Sequence, residues 1–362
     1  MPQLFDHKTC CKVEIKKIAR DSEIISIENE VIKVCVFPKK GAEIVSLFNK
    51  KIGIDVLWKA PWKVRTPNKG LTGFTDSASV WLEHYGGGWQ EIFPNVGDEC
   101  VYKGATLSFH GEASLLPWSY EIIENSEKEA SVCFTVNLYR SPFQLKRVMT
   151  IKKEEPILHL SERVENLANQ TLEFVWGHHP AFGTPFLNEN CKVDCGAKLI
   201  EADDRYDPVS NFLQPAKEWS WPFIQNKEKE IVDIGCIPPP NSGVSCLAYL
   251  KDFSEGWYAI TNQELGFGVG FVWPKEIFPY AYFWIEANAS HDFPFYGRAY
   301  TVAIEPFSSI PGQGLINITE KTGTQMVIEP NGEIEFEMRV VIYENHKRVN
   351  HVSSDGSVEI KG

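Results

Sequence analysis

The chain has 362 residues, of which 43% are hydrophobic and 12% aromatic, and its 36 basic and 48 acidic side chains give a net charge of −12. This composition supports a sizeable core, excludes wholesale disorder, and disfavours nucleic acid and anionic membranes as partners. Residues 1–17 lack an apolar signal core and no apolar run is long enough to span a bilayer, so we expect a cytoplasmic protein with reduced thiols.

Alternation of apolar and polar residues predicts β-strands along the chain. Residues 31–49 indicate a strand, a turn at residues 39–41 and a returning strand. Residues 130–139 and 143–151 alternate with a period of two. The clearest case is residues 333–344, because the apolar side chains fall on one face and the charged ones on the other. Such strict alternation is typical of half-buried antiparallel strands.

Helical signals are weak in this sequence. Residues 81–85 are compatible with one short helical turn, and no long segment repeats with a period of 3.6. No linker divides the chain, because the proline run at residues 238–240 is short and strand-like segments continue on both sides. We therefore predict an all-β protein in which residues 1–362 form a single large antiparallel β-sandwich domain.

Four short polar segments interrupt the predicted strands: residues 86–95 (GGGWQEIFPN), 109–113 (FHGEA), 176–183 (WGHHPAFG) and 303–309 (AIEPFSS). They bring together histidines, a glutamate and tryptophans. Imidazole and carboxylate groups are suited to general acid–base chemistry near neutral pH, and aromatic rings with a few polar groups are suited to a sugar pocket. The pattern predicts an acid–base enzyme acting on a small-molecule sugar, without a metal or cofactor.

The histidines allow two interpretations each. His110 lies in a strand-like context before a glycine, where it could face a ligand or be satisfied by backbone groups. Neighbours in a strand point to opposite faces, so only one of His178 and His179 can enter a given pocket. The alternative is that this pair is purely structural.

Glu305 ends a strand-like run and shares a face with Thr301 and Ala303. Partial burial there would raise the pKa of the carboxyl, which suits a general base only if a neighbouring donor restores the ionised form. The alternative is a glutamate at a strand end in solvent.

Residues 86–95 combine glycines with two aromatic residues and two amides, without the Gly-Lys-Ser/Thr of a phosphate-binding loop. Trp89 could stack on a sugar face while Gln90 or Asn95 binds hydroxyls; the alternative is a loop whose tryptophan belongs to the core. Signature motifs of zinc proteases, serine hydrolases, dinucleotide-binding folds and EF-hands are missing, and the spacing of Cys191 and Cys195 does not match a CxxC motif.

In their order along the chain, these segments resemble the aldose 1-epimerase (galactose mutarotase-like) family. The likeness begins with GAEIVSLFNK and DVLW, continues through YGGGWQEIFPN, FHGEA, HHPAF and AIEPFSS, and closes with PNGEIEFEMRVVIYE. The resemblance implies a large antiparallel β-sandwich, or supersandwich, with an open, concave sugar site. It also implies conversion between the anomers of an aldose.

By position, the resemblance makes His179 the general acid and Glu305 the general base. His179 is chosen over His178 because the family histidine precedes two residues and then a phenylalanine, as it does here. His110 would bind the sugar near its ring oxygen. The full set of substrate-binding candidates is His110, His178, Trp89, Gln90, Asn95 and Trp284.

Two departures from the family pattern affect the substrate. Trp89 and Gln90 occupy a stretch where galactose mutarotases usually carry an arginine, and the family's mid-chain aspartate has three candidates, Asp203, Asp204 and Asp207. Free, phosphorylated and sulfonated sugars all remain candidates. Alternatives to the epimerase are a non-catalytic carbohydrate-binding protein on the same fold, a lyase or hydrolase, and a structural β-protein.

Overall fold

Antiparallel strands dominate a computed structural model that describes residues 11–19, 22–63, 65 and 76–362. Part of the N-terminal segment on which the predicted location depends, residues 1–10, lies outside the described residues. The first half contains β1 (Lys12–Ala19), β2 (Ser22–Glu28), β3 (Ile32–Phe37), β4 (Glu43–Asn49), β5 (Ile54–Asp55), α1 (Ser77–His84), β6 (Trp89–Ile92), β7 (Cys100–Tyr102), β8 (Ala105–Leu107), β9 (Ser119–Asn125), β10 (Glu129–Asn137), β11 (Phe143–Lys152), β12 (Ile157–Asn166), β13 (Leu172–Phe174) and β14 (Gly177–Gly183). The second half contains β15 (Cys191–Cys195), β16 (Leu199–Ala202), β17 (Glu218–Ser220), β18 (Phe223–Gln225), β19 (Ile231–Asp233), β20 (Ser245–Lys251), β21 (Gly256–Asn262), β22 (Phe267–Trp273), β23 (Tyr280–Ala287), β24 (Tyr300–Phe307), α2 (Leu315–Lys321), β25 (Met326–Ile328), β26 (Glu333–Glu344), β27 (Val349–Val352) and β28 (Val358–Ile360).

Two large sheets organise these strands. The first has twelve strands in the order β1-β2-β3-β4-β6-β14-β24-β23-β20-β16-β17, with β5 paired to β4. The second has eight strands in the order β15-β21-β22-β26-β12-β11-β10-β9. Neighbouring strands in both sheets run antiparallel, as in the pairs β14–β24 and β12–β26. The predicted large antiparallel β-sandwich is confirmed.

The inner faces of the two sheets pack against each other to form the main core. The ring of Phe271 on β22 lies 5.0 Å from that of Trp89 on β6 and 5.9 Å from that of Phe182 on β14. In β26 the predicted alternation is confirmed. Its buried positions include Phe336, Met338, Val340 and Ile342, and its exposed positions include Glu333, Glu335 and Glu337.

The outer face of the twelve-stranded sheet is also covered near its centre, because β14 and β24 are buried at every position. Phe182 and Ile304 point into the core between the sheets, whereas Ala181 and Ala303 point to a second apolar cluster on the opposite face. Alternation along a strand produces this division. The candidate site lies on that second face.

Helix α1 covers part of this face and is longer than the single turn that the sequence predicted. It begins after Asp76, whose side chain accepts a hydrogen bond from the backbone N–H of Ser79 at 2.7 Å. Such a cap satisfies one of the free N–H groups of a helix start. Trp81 is buried on its inner side. Neither of the two helices in the described part of the chain is long and apolar enough to cross a membrane.

Candidate active site

A pocket of about 360 Å³ opens on the outer face of the twelve-stranded sheet. Ligand pockets commonly measure about 300–1,000 Å³, so one sugar ring fits this volume. The floor carries His179 from β14, Glu305 from β24 and Trp284 from β23. The walls come from α1, from the loop that holds His110, and from two segments around residues 203–206 and 312–313.

His179 and Glu305 face each other on adjacent strands. In the β14–β24 ladder Gly177 lies opposite Phe307 and Ala181 opposite Ala303, so His179 falls opposite Glu305. Its Nε2 lies 3.7 Å from Glu305 Oε1. The two residues are 6% and 4% exposed, and His179 Nδ1 has no hydrogen-bond partner in the described part of the chain. Both were predicted to be site residues, and the structure brings them together.

Burial of both side chains favours their uncharged forms. It lowers the pKa of His179 to about 4 and raises the pKa of Glu305 well above its usual value. Burial therefore opposes both the cationic form of His179 and the anionic form of Glu305. Two facing groups that share one proton can donate it at one point of a ligand and accept another nearby.

His110 lies in a turn rather than in the strand-like context that the sequence predicted. Its φ of 57° is in the left-handed region, which a strand does not use. The backbone N–H of Gly97 donates to His110 Nδ1 at 3.0 Å, so the neutral ring carries its proton on Nε2. Burial lowers the pKa of His110 well below its usual value, and the nearby His179 lowers it further. His110 thus offers a neutral N–H donor to a ligand.

Aromatic rings form much of the pocket wall. The ring of Trp284, a predicted stacking residue, lies 6.1 Å from that of His179 and 5.9 Å from that of Phe295. Trp81 stacks on Tyr85 at 4.8 Å and also packs against His110. Neither Trp81 nor Tyr85 was predicted to belong to the site. Their spacing of four residues in a predicted helical turn, which puts both on one helix face, was the available signal.

Of the three candidate aspartates, only Asp203 lines the pocket. Its Oδ1 accepts the backbone N–H of Arg205 at 2.8 Å, and its Oδ2 accepts the side-chain N–H of Gln313 at 2.8 Å. Asp204 and Asp207 instead form ion pairs with surface lysines. Gln313 and Arg205 also line the pocket, and nothing in the sequence singled them out.

Trp89 and His178 lie on the core side of the sheet, away from the pocket. Trp89 is opposite Pro180 in the β6–β14 ladder, so it shares the face of His178. Its Nε1 donates to His178 Nδ1 at 3.2 Å, and both residues are essentially inaccessible to solvent. The expectation that Trp89 stacks on a sugar and that His178 binds one is wrong, because strand alternation gives the pocket to His179 alone.

Gln90 and Asn95 are also separated from the pocket. Gln90 is on the pocket side of β6 but only 1% exposed, and its amide donates to the carbonyl oxygen of Gly87 at 2.6 Å. Asn95 is fully buried, donates to the carbonyl oxygen of Asp98 at 2.8 Å and accepts the backbone N–H of Leu315 at 2.7 Å. Neither residue is part of the pocket lining, and both amides bind backbone atoms of loops, so the structure does not place them against a sugar.

One group of potential metal ligands occurs among the described residues, formed by Glu91, Glu162 and His178 in the core between the sheets. The guanidinium of Arg147 already binds both carboxylates, with its Nε donating to Glu162 Oε1 at 2.6 Å. Trp176 also donates to Glu91. A cation would have to displace this arginine, so the arrangement is that of a buried ion-pair network.

The buried imidazoles predict a loss of stability on acidification. Burial lowers the pKa of His178 and of His179 from 6.5 to about 4. Between these values the unfolded chain binds more protons, so the free energy of unfolding falls as the pH falls from 6.5 towards 4. Each imidazole contributes at most about 3 kcal/mol above pH 6.5. Urea unfolding at pH 7, 6 and 5 measures the slope.

The variant Glu305→Gln provides the control for this dependence of the free energy of unfolding on pH. Its raised pKa means that the folded state keeps a proton that the unfolded state loses, so its contribution rises as the pH falls and opposes that of the histidines. Glu305→Gln is therefore expected to steepen the acid loss. Equal slopes for the two proteins, or stability that does not change with pH in this range, would contradict the assignment.

The comparisons with known proteins agree with this architecture. Residues 19–342 match the family described as a domain of unknown function, DUF4432. No curated protein matches the chain. Similar solved structures include a candidate aldose 1-epimerase from Klebsiella pneumoniae, at 16% identity and a TM-score of 0.72 over 92% of this chain and 84% of that one. A galactose mutarotase-like protein from Clostridium acetobutylicum gives 18% identity and a TM-score of 0.65 over 92% and 99% of the two chains.

A third similar structure is a galactose mutarotase-like protein from Lactobacillus casei, at 17% identity and a TM-score of 0.58 over 88% of this chain and all of that one. Similarity at this level of identity shows the fold, and function has to be argued from the site. The chain therefore belongs to the DUF4432 family, and its fold is that of the galactose mutarotase-like β-sandwich proteins.

Proposed function

We propose that this protein is an aldose 1-epimerase, which interconverts the α and β anomers of an aldose by opening and reclosing the ring. The observation that carries the proposal is the facing pair of His179 and Glu305, 3.7 Å apart in a pocket of sugar size. The aromatic walls support it, because sugar C–H faces pack well on such rings. The names of similar structures, a candidate aldose 1-epimerase and a galactose mutarotase-like protein, point in the same direction.

In the proposed mechanism His179 and Glu305 share one proton. Opening the ring removes a proton from the C1 hydroxyl and adds one to the ring oxygen. In the state with Glu305 ionised and His179 protonated, Glu305 accepts the first proton and His179 donates the second. The C1–C2 bond rotates, and closure on the other face of the aldehyde returns both protons. Each positioned transfer contributes about 10²- to 10⁴-fold.

The uncharged pair and the reactive state differ only in the place of one proton. Burial favours the uncharged pair, with the proton on Glu305, because it raises the pKa of Glu305 and lowers the pKa of His179. Moving it across the 3.7 Å gap produces an ion pair of zero net charge, which sugar hydroxyls can stabilise by hydrogen bonding. His110 would donate from Nε2 to the ring oxygen or a nearby hydroxyl, and Trp284 would pack on a C–H face.

The charges of the pocket favour a sugar without a phosphate or sulfonate group. Among the described lining residues the permanent cation is Arg205, which is about half exposed and already paired with Asp98. Asp203 adds a negative charge beside it. We expect free aldoses to exceed their 6-phosphates in kcat/KM by about tenfold or more, which corresponds to about 1.4 kcal/mol.

Anomer exchange followed by NMR across a panel of free, phosphorylated and sulfonated aldoses tests both the proposed reaction and the proposed preference for free aldoses. Catalysed exchange of free aldoses supports the proposed function. Sugar binding without exchange would indicate a carbohydrate-binding protein, and new chain ends produced from an oligosaccharide would indicate a lyase or hydrolase. Faster exchange of the phosphorylated sugars would overturn the substrate preference and leave the reaction class intact.

A further inference from the structure

The hydroxyl of Tyr85 is a buried polar group in the pocket wall that has no hydrogen-bond partner among the residues that the structure describes. Tyr85 is 1% exposed and lines the pocket. Its phenolic oxygen is among the buried side-chain atoms without a partner. Leaving such a group unsatisfied costs about 1–3 kcal/mol. A buried hydroxyl of this kind calls for an explanation, and a ligand that supplies the missing acceptor is one.

The ring of Tyr85 is held firmly in place beside the acid–base pair. It stacks on Trp81 at 4.8 Å and meets the ring of His179 edge-on at 5.4 Å. Trp58 packs on it at 5.6 Å. The backbone carbonyl oxygen of Tyr85 accepts the indole N–H of Trp62 at 2.8 Å. These contacts hold the hydroxyl inside, so it cannot turn out to solvent to find a partner.

The surroundings of Tyr85 keep its hydroxyl protonated. Burial raises the pKa of the phenol well above its usual value, and the nearby carboxyls of Glu305 and Glu43 raise it further. Near neutral pH the group is therefore a hydrogen-bond donor, and an oxygen is the partner it needs. Sugars carry such an oxygen at every ring position.

We propose that Tyr85 is a third catalytic residue of this pocket, whose hydroxyl donates a hydrogen bond to the sugar oxygen held beside His179. The inference rests on the proposed function. The phenolic proton stays on Tyr85 throughout, while the bond strengthens as negative charge develops on the sugar oxygen during opening and closure. A fixed donor aimed at developing charge stabilises the transition state more than the bound sugar.

Tyr85→Phe tests the proposal because it removes one oxygen and keeps the ring that packs on Trp81 and His179. We expect kcat for anomer exchange to fall about 10- to 100-fold, since loss of one preorganised donor has effects of this order or larger. KM should change by less than about threefold, because the lost bond acts mainly in the transition state. The free energy of unfolding should stay the same or increase, since an unsatisfied hydroxyl is removed.

Tyr258→Phe is the matched control. The Tyr258 hydroxyl is equally buried and equally without a partner, but it lies in the core between the sheets, where its ring stacks on Phe271 at 4.7 Å. This variant should show the same small change in stability and wild-type exchange. Equal losses of activity in both variants would assign the effect to packing and overturn the role of Tyr85.

Activity of the wild-type protein distinguishes a failure of the proposed function from a failure of the proposed role of Tyr85. If it exchanges anomers and Tyr85→Phe retains its kcat, the catalytic role of Tyr85 is overturned while the proposed function stands. If the wild-type protein shows no exchange with any sugar of the panel, both are overturned. A drop in kcat limited to Tyr85→Phe, with both variants folded, supports the role.

Discussion

Replacing Glu305 with glutamine is expected to slow anomer exchange by at least about 10²-fold while the protein stays folded. Glutamine keeps the shape of the side chain opposite His179 but can neither accept nor release the proton. The pair then cannot remove the proton of the C1 hydroxyl and protonate the ring oxygen in one cycle. Line-shape or exchange NMR of the two anomers measures the rate directly.

Stability gives this prediction a second, independent readout. Burial raises the pKa of Glu305 well above its usual value, so above about pH 4.5 the folded state retains a proton that the unfolded chain releases. Removing this group should leave the free energy of unfolding at pH 7 unchanged or increase it. Reduced activity together with reduced stability would point instead to a packing defect.

Glu201→Gln is a suitable control for Glu305→Gln. Glu201 lies on β16 of the same sheet, is partly exposed, and pairs with Lys251 outside the pocket. The substitution is chemically identical, and the expected exchange rate is that of the wild-type protein. Wild-type exchange in Glu305→Gln would reject the acid–base role of the carboxyl and with it the proposed mechanism.

The parts of the fold that the sequence could predict are those set by local patterns. Period-two alternation identified β10, β11 and β26, because a half-buried strand shows its two faces in the order of its residues. The same rule placed His178 and His179 on opposite faces of one strand. It also fixed the face of Glu305, so the resemblance and the strand pattern together located the facing pair.

Contacts between strands and loops could not be predicted from local sequence patterns. Trp89 reaches the core rather than the pocket because of the register of β6 against β14, and a shift of one residue would reverse its face. The position of the His110 side chain depends on the positive φ of this residue, which a strand-like sequence context does not reveal. Asp203 and Gln313 meet through a hydrogen bond between residues 110 positions apart in the chain.

The role of Tyr85, which follows helix α1, also could not be predicted from local sequence patterns. The sequence indicated a helical turn around it, but the turn alone does not say which part of the sheet the helix covers. Its position over β14 follows from tertiary contacts, among them the packing of Tyr85 on Trp58 and on His179. A residue whose role depends on such packing can be recognised only once the ring and its neighbours are placed.

Arg147→Met is expected to lower the free energy of unfolding by about 3–5 kcal/mol, because it leaves buried charges uncompensated. Arg147 is 1% exposed on the core side of β11, where it binds the carboxylates of Glu91 and Glu162. Burial and the charge of Arg147 lower the pKa of His178 to about 4, so this neighbour is neutral at pH 7 in the wild-type protein and leaves Arg147 as the cation of the network. Urea unfolding at pH 7 measures the difference.

Two further variants distinguish charge from packing in this network. Arg163→Met removes a partly exposed arginine from the neighbouring strand β12, where it pairs with Glu333, and should cost at most about 1 kcal/mol. Adding Glu91→Gln and Glu162→Gln to Arg147→Met removes the uncompensated carboxylates and should recover a large part of the lost stability. If the triple variant is no more stable than Arg147→Met, the arginine acts through its packed aliphatic stem, and the two sheets are held together here by shape rather than by charge.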